Sequence, residues 1–157
     1  FVDEALSPDE LRLTLAHELA HYLLHYLWPR QRTIERYGHS IRAVLDGERI
    51  ATTTEKLSGA LRGVPLGSCH HLMDRDADGN VFSEEVRNHE IEADLLSFEL
   101  LAPIREIRKT RTSRREHTLI EDFGLPPWAA KIWANQINTQ NPHGGFIAKL
   151  RAAAEPK

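Results

Sequence analysis

The stretch SPDELRLTLAHELAHYLLHYLW, residues 7–28, decides how the chain is read. Its start is a well-formed helix entry. Ser7 stands at the N-cap, Pro8 at the first helical position, and Glu10 is placed to bond back to Ser7. Leu and Ala then dominate as far as Trp28, and Pro29 is expected to stop the helix. Leu11, Leu13, Leu15, Ala16, Leu19, Ala20, Leu23 and Leu24 cover most of the circumference rather than one stripe, the pattern of a helix buried on all sides. Polar groups on such a helix are costly, so His17, Glu18 and His21 need a reason to be there.

The chemical reading stands against a chance match on a surface helix. His17-Glu18-Leu19-Ala20-His21 is an H-E-x-x-H motif. Residues four apart share a helix face about one turn apart, so two imidazoles can grip one metal ion. Glu18 lies about 100° round from His17, where its carboxylate reaches a water on the metal rather than the metal itself. The metal lowers the pKa of that water, and the glutamate takes its proton as a carbonyl is attacked. Glu18 is therefore the candidate catalytic base. A catalytic zinc usually has three protein ligands. The metzincin extension would need Gly at 24 and His at 27, where this chain has Leu24 and Leu27. The next candidate is the helix expected over 83–101, on which Glu90 and Asp94 stand four apart. One carboxylate can bind the metal while the other orients a ligand histidine. Glu92 points about 200° away from Glu90, and Glu99 sits at a distant turn. The alternative is that Glu90 and Asp94 are solvated surface acids.

Two blocks resemble the ImmA/IrrE family of metallopeptidases. RLTLAHELAHYLLH, residues 12–25, is similar to that family's R-F-T-L-A-H-E-x-G-H-x-L-L-H stretch. EIEADLLSFELLAP, residues 90–103, is similar to its E-x-x-A-N-x-F-A-x-x-L-L-M-P stretch. Aligned on Ala93 and Pro103, the resemblance puts the third metal ligand at Glu90, beside His17 and His21. The departures are Leu13 for Phe, Ala20 for Gly, Asp94 for Asn, Leu96 for Phe, Ser97 for Ala and Ala102 for Met, none of which removes a ligand or the base. The resemblance implies a bacterial zinc-dependent endopeptidase that acts in transcription regulation by cutting a helix-turn-helix repressor. LIEDFGLPPWAAKIWAN, residues 119–135, resembles the helix-turn-helix-like stretch that follows the family's peptidase core. Its second helix offers only Lys131 as a basic group, so it reads as packing rather than DNA binding. The rival function is a non-catalytic metal-binding regulator that engages a protein partner or DNA.

The expected fold is mainly α with a small β-sheet (α+β). It is a minimal zincin-like core of the gluzincin type over residues 1–104, followed by a basic linker and helical extension over 105–157. Phe1-Val2-Asp3 could close a strand, and Leu66 to Val81 has weak helix signal and reads as extended. Further helices are expected over 34–47, ending at Asp46-Gly47, over 52–62 with a threonine cap, and over 116–123 and 127–137 around Gly124-Leu125-Pro126.

Composition sets the outer limits. At 157 residues the chain is the size of one domain. With 27% charged residues and a net charge of −3, it is neither a disordered chain nor a globally basic nucleic-acid binder. No apolar run approaches the ~18 residues of a membrane span, and no secretory segment opens the chain. A single cysteine, Cys69, excludes an internal disulfide framework and fits a cytoplasmic protein. The start at Phe1 rather than Met suggests that an upstream segment is missing.

Three further signals compete with plainer readings. Residues 74–85 fit a twelve-position calcium loop, with Asp74, Asp76, Asp78, Asn80 and Glu85 as ligand candidates and Gly79 at the sixth position. A hairpin bent at Asp78-Gly79 explains the same residues. Residues 105–115 hold six basic residues against Glu106, which suits either phosphate contact or a solvated face. Cys69-His70-His71 is poorly spaced for one ion, His25 reads as a packing or supporting residue, and His117 and His143 are candidate oxyanion stabilisers.

Overall fold

In the computed structural model, residues 6–61, 66 and 84–139 are described. All regular structure among them is helical: α1 (Pro8–His21), a π-helical segment (Tyr22–Leu27), α2 (Trp28–Tyr37), α3 (Arg42–Leu45), α4 (Thr53–Leu61), α5 (Glu84–Leu101), α6 (Ile104–Ile107), α7 (Arg115–Glu121) and α8 (Pro127–Thr139). Short 3-10 turns occupy His39–Ile41 and Thr112–Arg114. No strand occurs among the described residues, so the expected α+β core with a small sheet is corrected to a mainly α fold. The physical reason is that the two buried apolar clusters are assembled mainly from side chains of packed helices, which leaves no sheet face to cover among the described residues. The segments expected to be extended, residues 1–3 and 66–81, lie outside the described residues apart from Leu66, which is not in a strand. None of the described helices is long and apolar enough to cross a membrane.

The chain forms two compact units, Phe1–Ala20 with Glu90–Lys157, and His21–His89. Both boundaries fall inside continuous helices, at the last residue of α1 and within α5. The first unit is built round Trp133, which is fully buried with Leu13, Phe98, Ile107, Leu119, Leu125, Ala129 and Ala130 about it. The indole stacks on Phe98 with ring centroids 5.5 Å apart. Its Nε1–H donates to the Ala102 carbonyl at 2.9 Å, tying α8 to the C-terminal end of α5. Thus the buried side of the helix-turn-helix-like stretch is committed to the core, while Lys131 is exposed.

The turn between α7 and α8 is shaped by Gly124, whose φ of +58° is a left-handed conformation that favours glycine. The amides of Gly124 and Leu125 donate back to the carbonyls of Ile120 and Leu119, both at 3.0 Å. Arg12 of α1 donates to the Phe123 carbonyl, and to that of Gly124 at 3.1 Å. A side chain at 124 would meet that guanidinium at 3.1 Å and the Asp9 carboxylate at 3.2 Å.

In the second unit, Ile41, Val44, Leu45 and Ala51 form a small core packed by Ile34, Tyr37 and Leu66. Gly38, at φ +79°, divides what the sequence suggests is one helix over 34–47 into α2, a 3-10 turn and α3. Thr52 caps α4 by a reciprocal box: its amide donates to Glu55 Oε2 at 2.7 Å, and the Glu55 amide donates to Thr52 Oγ1 at 3.3 Å. Arg49 grips the same carboxylate through two bonds of 2.7 and 2.8 Å.

Two expectations for residues 7–28 change. The helix does not stop at Pro29. It widens to a π-turn, with the Trp28 amide donating to the Leu23 carbonyl five residues back, and the chain continues as α2 with Pro29 as its second residue. Nor is α1 buried all round: Leu13, Ala16, Ala20 and His21 are buried, whereas Leu15 and Leu19 are 53% and 47% exposed.

Candidate metal centre

The start of α1 is set by the expected box. The Ser7 amide and hydroxyl donate to Glu10 Oε2 at 3.0 and 2.7 Å, and the Glu10 amide donates to Ser7 Oγ at 3.4 Å. From this fixed origin, two and a half turns of helix carry His17 and then His21 to one face. On α5, Ala93 is fully buried, as Ala20 is on α1, so each helix carries its smallest buried side chain beside a candidate site residue. A larger side chain at either position would overpack it.

His17 is held at both ring nitrogens. Its Nδ1 lies 2.9 Å from Asp94 Oδ1, and its Nε2 lies 3.2 Å from Glu90 Oε2. His17, His21 and Glu90 each offer a ligand atom, and these atoms all lie within 4.8 Å of one another. Two ligands at zinc distances on a tetrahedral ion are about 3.4 Å apart, close to the His17–Glu90 separation. The donor set, two imidazole nitrogens and one carboxylate oxygen, is one that catalytic zinc sites use with a fourth position left open. Asp94 has a different position. Its hydrogen bond to Nδ1 selects the tautomer that leaves Nε2 turned towards Glu90.

The field at His17 is negative. The Asp94 hydrogen bond lifts the imidazole above its ordinary value, aided by the charges of Asp94, Glu90 and Glu18 and opposed by burial. A concentration of carboxylate charge that favours an imidazolium equally favours a bound cation. Glu18 is exposed on α1 and contributes to that field, while Glu92 is half-buried on α5 and outside the three-residue group.

Two further residues near the end of α5 are satisfied locally. Ser97 is buried, and its hydroxyl donates to the Asp94 carbonyl at 2.7 Å, so the extra polar atom is satisfied. Ala102 supplies the carbonyl that Trp133 bonds.

Other sequence candidates fall elsewhere. Asp74, Asp76, Asp78 and Asn80, the side chain of Glu85, Cys69-His70-His71 and His143 lie outside the described residues. His117 is exposed on α7 and is not in the three-residue group. In the basic run, Lys109 pairs with Glu106 and Arg115 bonds Asn138, while Arg105, Arg111 and Arg114 are exposed.

Two contributors were not singled out from the sequence. His89 puts its ring against His25, with centroids 4.1 Å apart, and only its place before Glu90 hinted at a role. Arg12, noticed only as part of a block, ties α1 to the α7–α8 turn. In comparisons with protein-family models, curated proteins and solved structures, the chain has no match.

Proposed function

We propose that this chain is a zinc-dependent endopeptidase that hydrolyses a peptide bond in a protein substrate. The observation that carries the reading is the convergence of His17, His21 and Glu90 with Asp94 on the far nitrogen of His17. These four positions, together with Glu18, are the ones that the two family-like blocks single out. His17, His21 and Glu90 would hold the zinc ion, which would supply Lewis acidity for a carbonyl and lower the pKa of water towards neutrality.

The protein's own residues do the rest. His17 and His21 bind through neutral imidazoles, Glu90 adds the negative charge, and Asp94 keeps the proton of His17 on Nδ1. Glu18 needs no place among the ligands. Its carboxylate takes the proton of the attacking water and returns it to the departing amine nitrogen. The substrate class is a helix-turn-helix repressor on the strength of the resemblance, and the working compartment is the cytoplasm, which the lone Cys69 suits.

The test is Glu18→Gln, which keeps the shape and removes the basicity. Zinc content and fold should be retained while cleavage of candidate repressors drops by ~10²–10⁴-fold. A fully active Glu18→Gln protein would overturn the peptidase reading in favour of a metal-binding regulator.

A further inference from the structure

The segment that follows the motif has an unusual backbone. Immediately after His21 the helix widens into six π-helical residues, Tyr22–Leu27, before α2 resumes. Such turns are rare and are frequently found at functional sites. The consequence here concerns His25. In a regular α-helix each four-residue step overshoots a full turn by about 40°, so His25 would stand roughly 80° round from His17. A π-turn is wider, and four residues along it fall short of a full circle, so the drift runs back. His25 is thereby returned towards the face that carries the two motif histidines.

Its ring is used there. The His25 centroid lies 5.3 Å from that of His21, and 4.1 Å from that of His89 with 35° between the planes. His89 is the residue of α5 directly before Glu90. The ring of His25 therefore bridges one candidate ligand and the immediate neighbour of another. We infer that His25 is a positioning residue for the metal ligands, and that the Tyr22–Leu27 π-turn exists to bring it there. Its ring sets the orientation of His21 and packs on His89, the residue before Glu90 in α5. This rests on the metal reading of His17, His21 and Glu90.

The experiment uses the full chain with cobalt(II) as a spectroscopic probe and zinc in competition with a chelator. His25→Ala should weaken zinc binding by at least 10-fold, the lower end for residues that orient ligands. It should also change the visible cobalt spectrum, which reports ligand geometry. His25→Phe restores a ring without its nitrogens and should recover most of the affinity and the spectrum. His25→Ala with wild-type affinity and an unchanged spectrum overturns the inference. Should that variant not fold, His89→Ala removes the other half of the contact and decides by the same readouts. A wild-type chain that takes up neither cobalt nor zinc overturns the metal reading and this inference together. Wild-type uptake with an indifferent His25→Ala overturns this inference alone.

Discussion

Trp133→Phe tests whether the helix-turn-helix-like stretch is structural. Trp133 is 0% exposed, stacks on Phe98, and donates to the carbonyl of Ala102, a residue itself fully buried. Phenylalanine keeps the stack but removes the donor, stranding that carbonyl at about 1–3 kcal/mol. The lost ring atoms add roughly 1 kcal/mol of transfer and cavity cost. The sum, about 2–4 kcal/mol, is a large part of a typical domain's stability. Urea unfolding of the full chain should show a lower midpoint at unchanged slope. Trp128, on the same helix but 54% exposed, provides the control, because Trp128→Phe should stay within about 0.5 kcal/mol. Zinc affinity of the folded Trp133→Phe chain should be unaltered. If Trp133→Phe cost less than about 0.5 kcal/mol, the packing of α8 on α5 would be misdescribed.

Asp94→Ala should weaken zinc binding by about 10-fold, the low end of the range for such partners, since Asp94 is 60% exposed; Asp94→Asn, which keeps an acceptor for Nδ1–H, should lose less in the same competition assay. Glu55 gives a pH-dependent signature. Its bonds to Arg49 and Thr52 hold it at about 2, below the ordinary 4.5, so its stabilisation is present above pH 4.5 and fades as pH falls towards 2. The melting temperatures of wild type and Glu55→Gln should therefore differ near pH 6 and converge near pH 2, and a gap independent of pH would refute this.

Local chemistry was legible wherever one side chain settles the matter. Ser7 with Glu10, a threonine cap before α4, and the turn at Gly124 all follow from short-range rules, and the structure shows each. Helical angle sets Glu92 about 200° from Glu90, and in the structure Glu90 Oε2 lies 3.2 Å from His17 Nε2 while Glu92 lies outside the three-residue group. Other features depend on what surrounds the chain. Pro29 reads as a stop because a proline normally forfeits a hydrogen bond, and no spacing rule announces the π-turn through which the helix runs on into α2. Leu15 and Leu19 read as core because composition does not say which faces find a neighbour. The expected sheet drew on segments of weak helix signal that lie almost wholly outside the described residues, whereas the cores that are described are built mainly from helical residues.

The central claim is that His17, His21 and Glu90 hold one zinc ion. Its most direct test is the metal content of the purified chain beside its Glu90→Ala and Glu92→Ala variants, each confirmed to be folded. Three ligands with an open fourth position predict about one zinc per wild-type chain, its loss from Glu90→Ala, and its retention in Glu92→Ala. A folded Glu90→Ala chain that keeps its full zinc would contradict the account.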